Sequence, residues 1–396
     1  MSVKIEFHMI QSFPPANLNR DDTNMPKDCK FGGVRRARIS SQCLKRAIRW
    51  HPDFKKYTQG DLSYRSRKLS NEIEKKLIDK GHDKLSSHNI ALVFTAELLG
   101  GIDKDDIETG KSRVIFFFTP NEIDIFVNKI ISNWQEINKI VSGLDIDKHV
   151  IKKFKENKGR KLDRFINEYI KEFKGQKRVL PDIALFGRML ALHPDLKMEA
   201  SCQVAHAIST HRVGMEGMDF FTAVEELQES SDSGAAMMGV TGFNAATFYR
   251  YAAIDWGQLV YNLDDDRALA KKTVRAFLYS MAKAVPTGKQ NAFAAQTRPA
   301  LILVVIREDE QSWSLANAFE KPVEARGSKG ILQQSVTALD RHWHELDQIY
   351  GDPKYPLKPF VLVLPEFEEC LNFLENYKRG SLNDLGDAIC NTLPQE

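Results

Sequence analysis

The residues best placed to do chemistry are the cations between positions 20 and 49. The stretch RDDTNMPKDCKFGGVRRARISSQCLKRAIR carries Arg20, Lys27, Lys30, Arg35, Arg36, Arg38, Lys45, Arg46 and Arg49 against Asp21, Asp22 and Asp28. Nine cations against three acids give a local excess of six, in a chain whose formal net charge is only +3. Ser40 or Ser41 is a good N-cap, which predicts a helix start there. At 100° per residue, Gln42, Lys45, Arg46 and Arg49 share one face of that helix, with Leu44, Ala47 and Ile48 opposite as a core face. Gly32 and Gly33 break the stretch just before it. A phosphate arriving here would meet free N–H groups at the positive end of a helix, then a row of cations. A solvated basic face is the bland alternative. The coincidence of glycine pair, helix start and cationic stripe favours a polyanion, most simply nucleic acid.

Three further segments carry weaker signals. From 152 to 178, eleven cations, including Lys152, Lys153, Lys155, Lys158 and Lys161, face four acids. That is either a solvated helix face or a salt-sensitive contact with nucleic-acid backbone. Residues 214–243 hold glycines at 214, 217, 234, 239 and 242, with Met215, Met218, Phe220, Phe221, Met237, Met238 and Phe243 among them. They form either local core or a projecting arm that wedges between bases or docks on a neighbour. Lys289 and Gln290 sit in the turn TGKQN, a weak phosphate signal because GxxxxGK[ST] is absent.

No strong catalytic signature emerges. GxSxG, HExxH and GxGxxG are all missing, and no Cys–His pairing stands out. His206 and His211 are five apart, and His342 and His344 two apart, so neither pair is set to share a metal. The five cysteines are scattered with no CxxC pair, which argues against zinc and against a disulfide framework. A reducing cytoplasm is the expectation. VKIEFHMI is too short and too charged for a signal peptide, and VIFFF and LILVVI are too short to span a bilayer.

These groups need elements to position them. A chain of 396 residues suggests two or three domains, or one with large insertions. Residues 3–12 alternate as a strand, with Val3, Ile5, Phe7 and Met9 on one face, His8 on the other, and Pro14 and Pro15 as its end. Residues 60–180 read as a mostly helical insertion. Leu69, Ile73, Leu77 and Ile78 mark one helix, and Ile123, Phe126, Val127, Ile130, Ile131 and Trp134 another. A strand is expected in 201–213 and another in 246–254, then a helix over 271–286 and a buried strand up to 306. A helix at 331–346, a last strand at 358–365 and an acidic tail with a short helix complete the chain. This order suggests an α+β domain with two excursions.

At this point the residues carry a resemblance. NLNRDDTNMPKDCKFGGVRRARISSQCLKRAIR (17–49) resembles the N-terminal signature of the CasC family, the CRISPR RNA-binding backbone subunits of the type I-E Cascade complex. The likeness continues through DIALFGRM (182–189), AHAISTHRV (205–213), DFFTAVEEL (219–227), FYRYA (248–252), AVPTGKQNAFAA (284–295) and SLANAFEK (314–321). Residues 60–180 and the tail after about 340 match less clearly.

The resemblance implies an RRM-like (ferredoxin-like) palm at 1–59, 181–213 and 243–345. It adds a helical fingers insertion at 60–180, a protruding thumb at 214–242 and a C-terminal segment at 346–396. It implies copies, six in the usual family pattern, polymerised head to tail along CRISPR RNA, with target DNA and other Cascade subunits as partners. No membrane, cofactor, metal or catalysis is implied. Arg20, Lys27, Gln42, Lys45 and Arg46 would grip the guide's phosphates, with Arg49 beside them. Met189 and the thumb residues Phe220, Phe221 and Thr222 would flank a kinked nucleotide, and Lys289 and Gln290 would line the same groove. Where the family usually has Trp-Phe-Thr, this chain has Phe-Phe-Thr, which keeps an aromatic wedge and loses an indole donor. Lys152, Lys153, Lys155, Lys158 and Lys161 would contact target DNA. Base pairing reads the sequence while the protein holds backbone.

Two rivals remain. Relatives of this architecture cut target RNA using an aspartate in the loop after the first strand, and Asp21, Asp22 and Asp28 lie in such a loop. A metal-dependent ribonuclease using Mg²⁺ is therefore the alternative. The flanking NRDD and FGGxRRxRISSQ residues match the non-cleaving branch, in which Asp21 and Asp22 brace the loop while Arg20 binds RNA. A general RNA chaperone would instead bind as a monomer.

Overall fold

Strand β1 (Lys4–Ala16) is covered on both faces: Ile5, Glu6, Phe7, His8, Met9 and Ile10 are each at most 1% exposed. The structure is a computed structural model that describes residues 3–394, apart from 59, 61, 152–161, 176–178, 191, 215–217, 225–234 and 309–310. The other strands, in chain order, are β2 (Asp28–Phe31), β3 (Val34–Ile39), β4 (Tyr64–Ser66), β5 (Phe116–Phe118), β6 (Cys202–Val204) and β7 (Ala207–Ser209). Then come β8 (Met218–Val224), β9 (Ala235–Gly242), β10 (Asn244–Asp255), β11 (Leu301–Arg307) and β12 (Lys358–Val363). The fold is α+β and comprises two compact units.

The first unit holds Met1–Thr58, Cys202–Gly257 and Ala270–Glu396. Its antiparallel sheet runs β12-β11-β1-β10-β7-β3-β2, with β6 also on β10. One face carries Phe7 against Phe277, ring centroids 5.2 Å apart. On the other, Ile10, Tyr249, Leu303 and Val305 pack against Val336, Leu339 and Trp343 of the long helix Ile331–Tyr350. The alternation read in residues 3–12 is real, but a central strand between two covered faces buries both of its sides. The strand also runs on through Pro14 and Pro15. Its register against β10 slips between Phe13 and Ala16, so the prolines sit in a local irregularity where no ladder donor is required.

The single strand expected at 201–213 is two short ones, β6 and β7, separated by Ala205 and His206. The glycine pair closes a hairpin between β2 and β3, with Gly32 and Gly33 at φ +59° and +76°. Two consecutive positive φ values make the tight turn whose twist suits a hairpin. A Cβ on Gly32 would fall 1.7 Å from the carbonyl oxygen of Glu320, so only glycine fits. Beyond β12 the chain returns along the sheet edge, where the Arg379 N–H donates to the Val361 carbonyl at 2.8 Å. The tail ends in the helix Leu382–Thr392, capped by Ser381.

The second unit, Gln59–Ser201 with Gln258–Leu269, is mainly helical. Leu69, Ile73 and Leu77 of helix Leu69–Asp79 pack with Ile90–Leu99 residues of helix Lys84–Leu99 and with Ile123, Phe126, Val127 and Ile130 of helix Pro120–Ser132. Ile78, read as a core position, is 37% exposed. It lies one residue past Leu77 and therefore 100° off the buried stripe. The helix begun at Pro120 stops at Ser132, and Trp134 opens the next one. Thr119 accepts the Glu122 N–H at 3.1 Å, while Glu122 accepts the Thr119 N–H at 2.5 Å, a reciprocal cap. No helix among the described residues is long and apolar enough to cross a membrane.

His8 is a core histidine. Its Nδ1 accepts from the Tyr249 hydroxyl at 2.9 Å, and that oxygen accepts the Leu315 N–H at 2.9 Å. Burial, and then the positive charge of Arg307, push its pKa down to about 3. Glu6 lies 4.0 Å away, but it is ion-paired to Arg307 at 3.4 Å. A folded pKa below the unfolded value of 6.5 means the neutral ring contributes its full stability above pH 6.5 and loses it as pH falls towards 3. The expected loss between pH 7.5 and pH 5 is about 2 kcal/mol. Urea unfolding of the wild type and of His8→Gln at both pH values checks this. Equal losses in the two proteins would remove His8 as the cause.

Candidate nucleic-acid interface

Helix α1 (Ser41–Trp50) starts where the serines predict. The Ser40 hydroxyl accepts the Cys43 N–H at 3.4 Å, and Asn19 Oδ1 accepts the Ser40 N–H at 2.8 Å. The Ser41 N–H donates to His206 Nδ1 at 3.2 Å. The helix start is therefore not the open phosphate cradle that the sequence suggests, because side chains already take the Ser41 and Cys43 amides. His206 must be neutral to accept. Its pKa is held low by partial burial, then by the charges of Arg38 and Lys27.

Leu44 and Ile48 are buried, while Gln42, Arg46 and Trp50 are exposed at one-turn intervals along the helix. Lys45 is half-buried. Arg49 is only 5% exposed, so it does not belong to the open cationic face assigned to it. The angular reading treats the helix as isolated. Its last turn is no free end, because α2 (Pro52–Thr58) follows after one residue. Lys27 is half-buried, and with Arg46 it flanks the Cys43 thiol, whose pKa burial raises and these two cations lower.

Arg46 and Trp50 open onto a cleft of about 620 Å³ within the first unit. Arg20 and Asp21 line it from the loop after β1, and Lys283, Gly288 and Arg298 from a segment far along the chain. Four cations thus meet there with a single lining carboxylate. That carboxylate is engaged: Asp21 Oδ1 accepts the Thr23 N–H at 2.9 Å, the Thr23 hydroxyl at 2.8 Å and the Met25 N–H at 3.0 Å. These bonds, the Thr23 hydroxyl foremost, hold its pKa below the ordinary carboxylate value. Asp28 is ion-paired to Arg35. Among the described residues, no group of three His, Cys, Asp or Glu side chains could hold a metal.

The Gly-Lys-Gln turn forms the cleft wall by close approach. A Cβ on Gly288 would lie 2.5 Å from the Leu18 carbonyl oxygen and 2.7 Å from that of Asn17. Lys289 follows at φ +51°, and Gln290 Nε2 donates to the Pro286 carbonyl at 3.0 Å. Asn17 joins this wall to the arm, because its Nδ2 donates to the carbonyls of Asn24 at 3.0 Å and Gly242 at 2.7 Å. Gly242 ends β9 of the β8–β9 hairpin.

In that hairpin Phe220 pairs with Val240, Phe221 with Gly239 and Thr222 with Met238. Phe220 is 66% exposed and Val240 49%. Met189, in the second unit, is 81% exposed and follows the buried Arg188, which is ion-paired to Glu122 and donates to the Leu196 carbonyl at 2.9 Å. Lys152, Lys153, Lys155, Lys158 and Lys161 lie outside the described residues. The cleft residues that sequence reading missed are Trp50, Lys283 and Arg298. Trp50 was detectable one turn past Arg46, whereas nothing local ties 283–298 to residues 18–21.

A family model described as "CT1975-like protein" matches residues 5–387. A solved structure described as "CRISPR RNA-guided surveillance complex, pre-nicking" contains a chain 28% identical to this one, with a TM-score of 0.81 over 98% of this chain and 99% of that one. A second, described as "CRISPR RNA-guided surveillance complex", is 24% identical with a TM-score of 0.74, over 98% of this chain and 100% of that one, and shows the shared fold. No curated protein sequence matches the chain.

Proposed function

The chain belongs to the CT1975-like family, the CasC family that its N-terminal motifs resemble, and from that premise we propose that it is a non-catalytic backbone subunit of a CRISPR RNA-guided surveillance complex. The observation that carries the reading is the cationic cleft, in which Arg20 and Arg46 of the family signature meet Lys283 and Arg298. Arg20 and Arg46 grip guide phosphates directly. Lys27, Gln42 and Lys45 support the same track from α1 and the preceding loop, and Lys289 and Gln290 extend it past Gly288. Arg49, being buried, is left out of the track.

On this reading 1–59, 181–213 and 243–345 are the RRM-like palm, 60–180 the fingers, 214–242 the thumb with its β8–β9 hairpin, and 346–396 the C-terminal segment. Phe220, Phe221, Thr222 and Met189 flank a kinked nucleotide. Exposed Phe220 and Met189 support this, since bulky apolar side chains in water gain by covering a base. Copies, about six in a type I-E complex, follow one another head to tail along the RNA and present its bases to target DNA, which the lysines of 152–161 touch. Other Cascade subunits complete the particle. A reducing cytoplasm suits the five free thiols. The braced Asp21 and paired Asp28 favour positioning over metal-assisted cleavage.

The test is co-purification from cells expressing a matching CRISPR array, with mass measurement and sequencing of bound RNA. Several copies on one uniform guide, with complementary RNA left uncut in Mg²⁺, is the expected result. A monomer on mixed RNA, or regular cuts abolished by Asp22→Ala or Asp28→Ala, would overturn it.

A further inference from the structure

We infer that Trp50 is a stacking platform for one nucleobase of single-stranded RNA inside the cationic cleft. The inference rests on the nucleic-acid reading above and adds a base site to a groove otherwise explained by phosphates. Trp50 is 56% exposed and lines the cleft one helical turn beyond Arg46. Isolated exposed apolar residues are ordinary on a convex surface and need no explanation. This indole instead sits in a concavity shared with Arg20, Arg46, Lys283 and Arg298.

The other four tryptophans are otherwise employed. Trp134 stacks on His82 at 3.8 Å, Trp313 lies under the Arg307 guanidinium at 3.7 Å, Trp343 meets Tyr377 edge-on at 6.3 Å, and Trp256 is 3% exposed. Trp50 has no ring contact among the described residues.

A bare aromatic face among cations fits a ligand that is planar and anionic by turns. An RNA strand is such a ligand: the base covers the ring while neighbouring phosphates meet the guanidinium groups. A cleft of about 620 Å³ falls within the roughly 300–1,000 Å³ of sites that enclose a small organic group. Because every base has a π-face, the platform is indifferent to sequence, as a protein carrying arbitrary guides requires.

The experiment compares an RNA oligonucleotide with an abasic one of equal length and charge, bound to the full chain at fixed salt. The wild type should prefer the oligonucleotide with bases, and Trp50→Ala should cut that preference about ten-fold while leaving the salt slope and thermal midpoint unchanged. Trp50→Phe should retain most of the preference but lose the indole fluorescence quench seen on binding. If Trp50→Ala binds both oligonucleotides as the wild type does, or if Trp50→Phe leaves the quench intact, the platform is refuted while the nucleic-acid reading stands. If the wild type binds neither oligonucleotide, that reading fails and takes the platform with it.

Discussion

Arg36→Ala is expected to lose about 3–5 kcal/mol of folding stability, from unsatisfied buried carbonyls and a cavity, although Arg36 sits in the middle of the most basic motif in the chain. Its side chain is 0% exposed. Nε donates to the Phe31 carbonyl at 3.2 Å, Nη1 to Ser209 at 3.1 Å, and Nη2 to Phe319 at 2.7 Å and Glu320 at 3.0 Å. One guanidinium therefore ties the β2–β3 hairpin to β7 and to the segment after β11. Alanine would leave the buried Ser209 and Phe319 carbonyls short of a donor, take a partner from those of Phe31 and Glu320 nearer the surface, and open a cavity beside Phe31. Lysine keeps the charge but cannot fork to four acceptors, so Arg36→Lys should recover little. Burial holds the guanidinium pKa below its usual value, while the nearby charges of Cys29 and Glu320 act in the opposite direction. Arg35, its neighbour, is 41% exposed and paired with Asp28, and Arg35→Ala should change stability by no more than about 0.5 kcal/mol. Denaturant midpoints of the three variants decide the matter. A stable Arg36→Ala protein that had merely lost RNA affinity would mean the residue had been assigned to the wrong job.

The second large effect is on binding. Arg20→Ala combined with Arg46→Ala should weaken single-stranded RNA binding by at least about 100-fold near physiological salt, since each removes a charge-assisted contact of about 1.5 kcal/mol or more. The dependence of log affinity on log salt should flatten by about 1.4, or 0.7 for each phosphate released. Lys283→Ala should cost less. Lys283 already spends part of its charge on Asp53 at 2.7 Å, so its loss frees a carboxylate more than it removes a phosphate contact. Titrations at several salt concentrations separate these terms. A double variant with weaker binding and an unchanged slope would show that the arginines act on the fold and not on phosphate.

These two predictions show which kind of information the sequence holds. Helix α1 was legible because an N-cap and an i, i+3, i+4 stripe are local properties, and Ser40, Leu44 and Ile48 behave accordingly. The sorting of nine similar cations was not. Arg36 and Arg49 are buried, Lys27, Arg38 and Lys45 half-covered, and Arg20, Lys30, Arg35 and Arg46 exposed, according to what packs over each. The β2–β3 hairpin escaped because charges mask its alternation, although Gly32-Gly33 is a fair turn signal. The cleft itself is a product of long-range closure. Residues 18–21 and 283–298 meet only because Gly288 lets two backbones touch.

The edges of the main sheet bear on how such a chain behaves in company. β12 is shielded by the returning backbone at Arg379, and β2 at the opposite edge is four residues long and carries the exposed Lys30. Identical copies lined up on one polymer would experience one another at an effective concentration on the order of millimolar. Under that crowding a bare strand is a template for fibre growth. On the proposed head-to-tail reading, the two blunted rims of the main sheet would leave neighbours to meet through side chains and not by adding strands.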